Sequence, residues 1–158
     1  FGWTNIENGW FFAGVGVIVV VIQGGLTGRL VKRFGERALM RIGIAGTAAG
    51  LLGIAWAPSP TELILASVVL ATGNAVVNPS LLGLVSMNAG RDEQGGVLGV
   101  GQSVSSFSRV VGPAFGGWLF AVTGPSFPFA FSAGLLLVPF FLSLLPIPDP
   151  GRPPKGAL

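Results

Sequence analysis

The sequence predicts an all-α membrane protein, a bundle of transmembrane helices, and three observations carry that expectation. Charged residues are 9% of the chain, against about 25% in an ordinary soluble domain. Runs without a single charge cover residues 9–28, 42–61, 63–90 and 110–148, and a hydrocarbon core needs about 20 apolar residues per helical span. The strict alternation of polar and apolar residues that marks a membrane β-strand is missing from these runs. With 51% apolar residues and 26 glycines, the chain has too little polar surface to cover a core in water.

Five spans follow in order: residues 9–26, 39–57, 62–87, 95–121 and 127–145. The first ends where Arg29, Lys32 and Arg33 begin. Pro58, Ser59 and Pro60 turn the chain between the second and third spans, and Gly124 and Pro125 do so between the fourth and fifth. Residues 1–146 thus form a bundle. Residues 147–158 are proline-rich and polar, which predicts a disordered tail. The chain starts at Phe1 without a methionine, the mark of a piece of a longer protein.

Basic residues set the orientation. Arg29, Lys32, Arg33, Arg37 and Arg41 follow the first span, Arg91 follows the third, and Arg152 and Lys155 lie in the tail. The turns at 58–61 and 122–126 hold none. The positive-inside rule then puts the tail in the cytoplasm and the N-terminus outside, in a plasma or inner membrane. Trp10, Trp56 and Trp118 fall at the predicted outer ends of spans, as an interfacial aromatic belt requires.

Several function classes are excluded or disfavoured. The chain has no histidine and no cysteine, so thiol chemistry and the usual zinc sites are absent. No metal site or cofactor is expected. All six acids (Glu7, Glu36, Glu62, Asp92, Glu93, Asp149) lie outside spans or at their ends, which argues against an intramembrane enzyme. The basic residues flank spans without an aromatic platform, so nucleic acid is not an expected partner.

Four motifs carry possible function. The loop GRLVKRFGER runs from Gly28 to Arg37; Gly35 permits a tight turn, and Arg33 and Arg37 can reach carboxylates or helix C-termini nearby. It serves either as a positive-inside anchor or as a gating latch. In the third span Asn74 and Asn78 are four apart on one helical face. Pro79 leaves the carbonyl of Ala75 without its donor and bends the helix. Polar groups at that depth line a cavity or bond to another helix.

The fourth span carries Gly112, Pro113, Gly116 and Gly117, including a G-x-x-x-G pair suited to close packing. It also carries Arg109, some fourteen residues (about 20 Å) from the predicted cytoplasmic end, too far for its side chain to snorkel. An arginine at mid-helix costs about 3 kcal/mol. Gln102, Ser105 or Ser106, and Arg109 recur at helical spacing as one polar stripe. Either a carboxylate on another helix pairs with Arg109, or the residue faces substrate in a water-filled cavity.

These residues resemble the major facilitator superfamily. Gly28, Leu30, Arg33, Gly35 and Arg37 match its cytoplasmic loop signature. Lys32 stands where the first-half copy carries aspartate and Glu36 where it often carries a base, so the pattern is closer to the second-half copy of tetracycline-type and multidrug efflux members. Gly99, Ser108, Gly112, Pro113, Gly116 and Gly117 resemble the antiporter motif. The resemblance implies helices eight to twelve of a twelve-helix transporter, five spans of a six-helix half. It implies alternating access around a central cavity, with proton-coupled efflux of a small amphipathic compound. Asn74, Asn78, Gln102, Ser106 and Arg109 are the candidates to line that cavity. The partners implied are the missing N-terminal half, the lipid bilayer, the substrate and protons. A non-transporting membrane scaffold or a truncated transporter relic is the alternative.

Overall fold

The computed structural model describes residues 2–90 and 92–145, and every described element is helical. The tail, with Asp149, Arg152 and Lys155, and the loop residue Arg91 lie outside the described residues. The helices are α1 (Asn5–Val21), a π-helical turn (Ile22–Leu26), α2 (Thr27–Phe34), α3 (Glu36–Ala55), α4 (Pro60–Asn88), α5 (Gln94–Thr123), α6 (Ser126–Leu135) and α7 (Leu137–Leu144).

Local chemistry sets the boundaries. Thr4 caps α1 in a reciprocal capping box with Glu7, satisfying two free N-terminal donors, so the helix starts before the apolar run does. It then continues past the expected end at residue 26. The basic segment remains helical through Phe34 and stops at Gly35, whose φ of 79° suits a residue without Cβ. Ser59 caps α4 through the Glu62 N–H, and Pro60 occupies the first turn, where its missing donor costs nothing. The last span is divided at Leu136. Pro139 cannot donate to the carbonyl four residues back, so the ladder breaks there and renews in α7.

Asn5–Phe34, Glu36–Ala55, Pro60–Asn88 and Ser126–Leu144 are each long and apolar enough to cross a bilayer. The remaining predicted span, α5, has ample length at 30 residues but does not share that degree of apolarity. Gln102, Ser103, Ser105, Ser106, Ser108 and Arg109 crowd the stretch 102–109. Four of the five expected spans are therefore alike, and α5 is set apart by its polar stripe.

The centre of the fold is the antiparallel pair α3 and α4, the most extensive contact between any two elements. Glycines allow the two backbones to meet. A Cβ added at Gly50 would lie 2.5 Å from the backbone nitrogen of Leu70. One added at Gly73 would lie 2.5 Å from the nitrogen of Thr47 and 2.7 Å from the carbonyl oxygen of Gly43. Gly43 in turn faces Val77 and the Gly73 carbonyl oxygen at 2.7 and 2.9 Å, and Gly53 faces the Ala66 methyl at 2.8 Å. Without lipid-excluding hydrophobic force, helices in a membrane associate through such close van der Waals packing.

Close packing is also expected at Gly112 and Gly116; among the described residues nothing lies within 4 Å of a Cβ placed at Gly112, Gly116 or Gly117. Among the described elements α5 touches only α4 and α6, so its glycine face meets no described partner.

Other elements attach to the central pair. A small core of Ile22, Leu39, Ala75 and Val76 is flanked by Ile18, Val19, Leu30 and Val31. It ties α1 and α2 to α3 and α4. Arg41 bonds through both Nε and Nη2 to the carbonyl of Ser143 in the last turn of α7, satisfying a carbonyl that has no intrahelical donor. One member of the basic group is thereby a clamp between α3 and α7, beyond any role in orientation.

The seam can be tested by a graded pair of substitutions. Gly50→Ala meets backbone atoms and should destabilise the protein by about 1–3 kcal/mol. Gly46→Ala meets only ordinary contact, with the Gly73 Cα at 3.5 Å, and should be nearly neutral. Thermal unfolding in detergent would read the difference, and equal melting temperatures would refute the seam.

Candidate functional site

Between α1 on one side and α6 with α7 on the other, a cavity of about 1100 Å³ opens over the central pair. Phe11, Val15 and Val19 line it from α1, and Gln23 lines it from the π-helical turn. Thr47 and Leu51 belong to α3, Ser67 and Asn74 to α4, and Phe129, Ser132 and Pro139 to the α6–α7 wall. Volumes of roughly 300–1,000 Å³ are usual for pockets that enclose a small molecule. Its polar groups are neutral amides and hydroxyls, and its lining carries no charged side chain among the described residues.

Asn74 is the one sequence-predicted candidate that lines this cavity. Asn78 lies one turn further along α4, and its Nδ2 donates to Asn74 Oδ1 at 3.4 Å. The shared face read from their spacing is thus present, as an amide pair. Pro79 follows directly, inside α4, and Ala75 beside it is 1% exposed. Thr47 contributes less polarity than its type suggests, because its hydroxyl donates to the Gly43 carbonyl at 2.8 Å.

Gln102, Ser106 and Arg109 lie elsewhere. All three are exposed on α5 and none lines the cavity. Arg109 has no hydrogen bond or ion pair among the described residues. Pro113 lies inside α5 as expected, one turn beyond Arg109. The structure therefore separates the candidates into an amide pair at the cavity and a polar stripe on an exposed face of α5.

In the basic loop, Leu30 packs on the core while Gly28 and Arg33 are exposed. The Arg33 guanidinium lies 5.5 Å from the ring centroid of its neighbour Phe34. Arg33 forms no ion pair among the described residues. Arg37 is half-buried at the start of α3. Glu36 turns its carboxylate against Gly83 of α4, where only a missing side chain leaves room, and its Oε2 is buried without a hydrogen-bond partner among the described residues.

Gln23, Ser67 and Ser132 are cavity residues that the sequence reading passes over. Gln23 carried a visible signal, an amide next to Gly24 and Gly25 within an apolar run. The extra residue of the π-helical turn is accommodated there, with the Thr27 N–H and hydroxyl both donating to the Ile22 carbonyl. Such turns are frequent at functional sites. Ser67 and Ser132 carry no such signal, since a serine in an apolar helix is as often a backbone-bonded spacer.

The chain is thus a polytopic helix bundle with a neutral, largely apolar cavity open over its central helix pair. The whole chain, residues 1–158, matches the family model of the Major Facilitator Superfamily, and the chain belongs to that family. It is 28% identical over 122 residues to the class B tetracycline resistance protein of Escherichia coli, covering 77% of this chain and 29% of that protein. It is 28% identical over 142 residues to the mouse (Mus musculus) Major facilitator superfamily domain-containing protein 10, covering 90% and 31%. With the multidrug resistance protein MdtH of Aeromonas salmonicida it shares 29% identity over 152 residues, covering 90% and 37%.

Among solved structures, the human organic anion transporter MFSD10 superposes with a TM-score of 0.81 at 27% identity. The superposition covers 89% of this chain and 33% of that one. The chain thus spans about a third of the length of the relatives it matches. These likenesses agree with the family read from Gly28, Leu30, Arg33, Gly35 and Arg37 in the sequence.

A native chain without cysteine allows the cavity to be probed directly. Asn74→Cys should react with N-ethylmaleimide in membranes, since the cavity admits water and reagent. Ala75→Cys, at a position 1% exposed, should stay unmodified. Equal labelling of the two would remove the cavity from consideration.

Proposed function

We propose that this chain forms part of a secondary active transporter that moves a small molecule across the membrane by alternating access, driving efflux with protons. The match of the entire chain to the Major Facilitator Superfamily carries the reading. Relatives named for tetracycline and multidrug resistance favour efflux as the direction. The cavity supplies a place for an apolar body, with Asn74 and Gln23 to orient it through hydrogen bonds.

Arg109 provides what the cavity lacks, a fixed positive charge. Its polar stripe with Gln102 and Ser106 lies on an exposed face of α5, where the remaining half of the transporter would complete the central pathway. A structural neighbour named as an organic anion transporter fits a cation that meets a negative group on substrate. The described acids Glu7, Glu36, Glu62, Asp92 and Glu93 lie at helix ends or in loops. The proton acceptor of the coupling step therefore belongs to the rest of the protein.

Arg109→Ala in the full-length protein tests this role, read as tetracycline transport into inverted vesicles per amount of folded protein. Removal of a costly group should leave insertion and abundance normal while transport collapses, and Arg109→Lys should recover only part of it, having lost the planar fork. If Arg109 were half of a structural ion pair, the alanine variant should instead lose about 3–5 kcal/mol of stability and accumulate poorly. A normal rate per folded molecule would end the functional assignment.

The orientation proposed from the basic residues places this chain in the plasma or inner membrane with its N-terminus outside and its tail in the cytoplasm. A reporter fused after Lys155 should then be active in the cytoplasm, and one inserted at Ser59 should be active only outside. The reverse pattern for either would overturn the orientation.

A further inference from the structure

Among the described residues, two side-chain polar atoms are buried without a hydrogen-bond partner, Ser80 Oγ and Glu36 Oε2. Both belong to one end of the α3–α4 interface, beyond Pro79 on α4. Ser80 follows that proline directly and is fully buried. Glu36 opens α3 and rests its carboxylate on Gly83, three residues beyond Ser80. On the other side of Pro79 the seam is better satisfied: the glycines close against α3, and the Thr47 hydroxyl donates to the Gly43 carbonyl.

A third group belongs with these two. Pro79 has no N–H to offer the carbonyl of Ala75, and Ala75 is 1% exposed. A hydroxyl donor and a carbonyl without its usual donor therefore stand five residues apart on α4. Ser103, Ser108 and Thr123 donate to the carbonyl four residues back, and Ser80 makes no such bond. Thr27 shows a different arrangement, since in the π-helical turn its hydroxyl reaches the Ile22 carbonyl five residues back at 2.8 Å. The same register at residues 75–80 would join the Ser80 hydroxyl to the Ala75 carbonyl. A π turn skips one backbone donor, and at Pro79 there is none to lose.

We propose that α4 has two registers hinged at Pro79. In the one seen here, residues 80–88 pack on α3 and leave Ser80 and Glu36 buried without partners. In the other, residues 75–80 form a π turn and the Ser80 hydroxyl donates to the Ala75 carbonyl. The half of α4 beyond the turn rotates by about the angle of one residue, roughly 100°, which carries Gly83 away and opens the Glu36 carboxylate to water. A buried polar group without a partner destabilises the register that holds it, so the two registers lie close in free energy. The switch is a property of α4 itself and does not depend on whether Asn74, before the hinge, contacts substrate.

Spin-label pairs in a cysteine-free full-length protein in nanodiscs, read by double electron–electron resonance, test the two registers. Leu52 on α3 with Met87 on α4 reports the half beyond Pro79, and Ile42 with Leu65 reports the half before it; all four positions are exposed. The first pair should give two distances and the second pair one. Ser80→Ala removes the unpaired hydroxyl from one register and the new bond from the other, so it should lower the second population about tenfold. Ser80→Thr keeps a hydroxyl and should keep both populations. Glu36→Gln replaces a buried charge by a neutral amide and should shift the ratio in the same direction as Ser80→Ala.

A single distance between Leu52 and Met87 in the unmutated hinge, or an unchanged ratio in Ser80→Ala, would overturn the proposal. Two distances between Ile42 and Leu65 would do so as well, because the helix would then be moving as a whole. No substrate or transport assay enters, so the result stands apart from the transporter reading.

Discussion

The contact on which the rest of the structure depends is the backbone approach between α3 and α4, in which Gly43 and Gly73 each stand where the other's carbonyl leaves no space for a methyl group. In a bilayer the lipid tails compete on equal terms for apolar surface, so helices hold together only where packing surpasses what lipid offers. Four glycines on α3, at 43, 46, 50 and 53, and Gly73 on α4 provide that advantage. The seam supports one wall of everything else: α1 and α2 join it through Ile22 and Leu39, and α6 and α7 join it from the far side.

Around this seam the chain deals with backbone groups that hydrocarbon will not solvate. The π-helical turn after α1 leaves the Ile22 carbonyl answered twice, by the Thr27 N–H and by its hydroxyl. It also places Ile22 and Thr27, five apart, among the buried residues. The extra residue thus rephases the rod: α1 presents Ile18 and Val19 to the core above the turn, and α2 presents Leu30 and Val31 below it. Arg41 performs a similar service for α7 by donating to the Ser143 carbonyl. The side-chain atoms Ser80 Oγ and Glu36 Oε2 are buried without a hydrogen-bond partner among the described residues.

The division of polar groups between two places bears on function. Neutral amides and hydroxyls are gathered at a cavity inside this bundle, whereas the charge of Arg109 stands on α5, which touches only α4 and α6 among the described elements. A neutral polar group in an apolar cavity can orient a ligand at modest desolvation cost, while a cation requires water or a counter-charge to be tolerable. Separating them lets one face of the bundle recognise shape and hydrogen bonding and another recognise charge.

The amino-acid sequence by itself determined the all-helical membrane class and the family. Those properties follow from uncharged runs, proline and glycine turns, and a loop signature, all local in the chain. The common helical face of Asn74 and Asn78 was equally legible, because four residues make about one helical turn. Which glycines pack was not. Gly46 and Gly50 have the same G-x-x-x-G spacing as Gly112 and Gly116, yet among the described residues it is the first pair that meets a partner, since spacing describes one helix and packing needs two. The helical period also put Gln102 and Ser106 on a stripe with Arg109, but whether a stripe faces a cavity depends on which neighbours stand across from it. Tertiary structure alone decided that Asn74 and Gln23 share a cavity and that Arg41 clamps α7. Each of these joins residues far apart in the chain, where periodicity carries no information and close packing in three dimensions carries all of it.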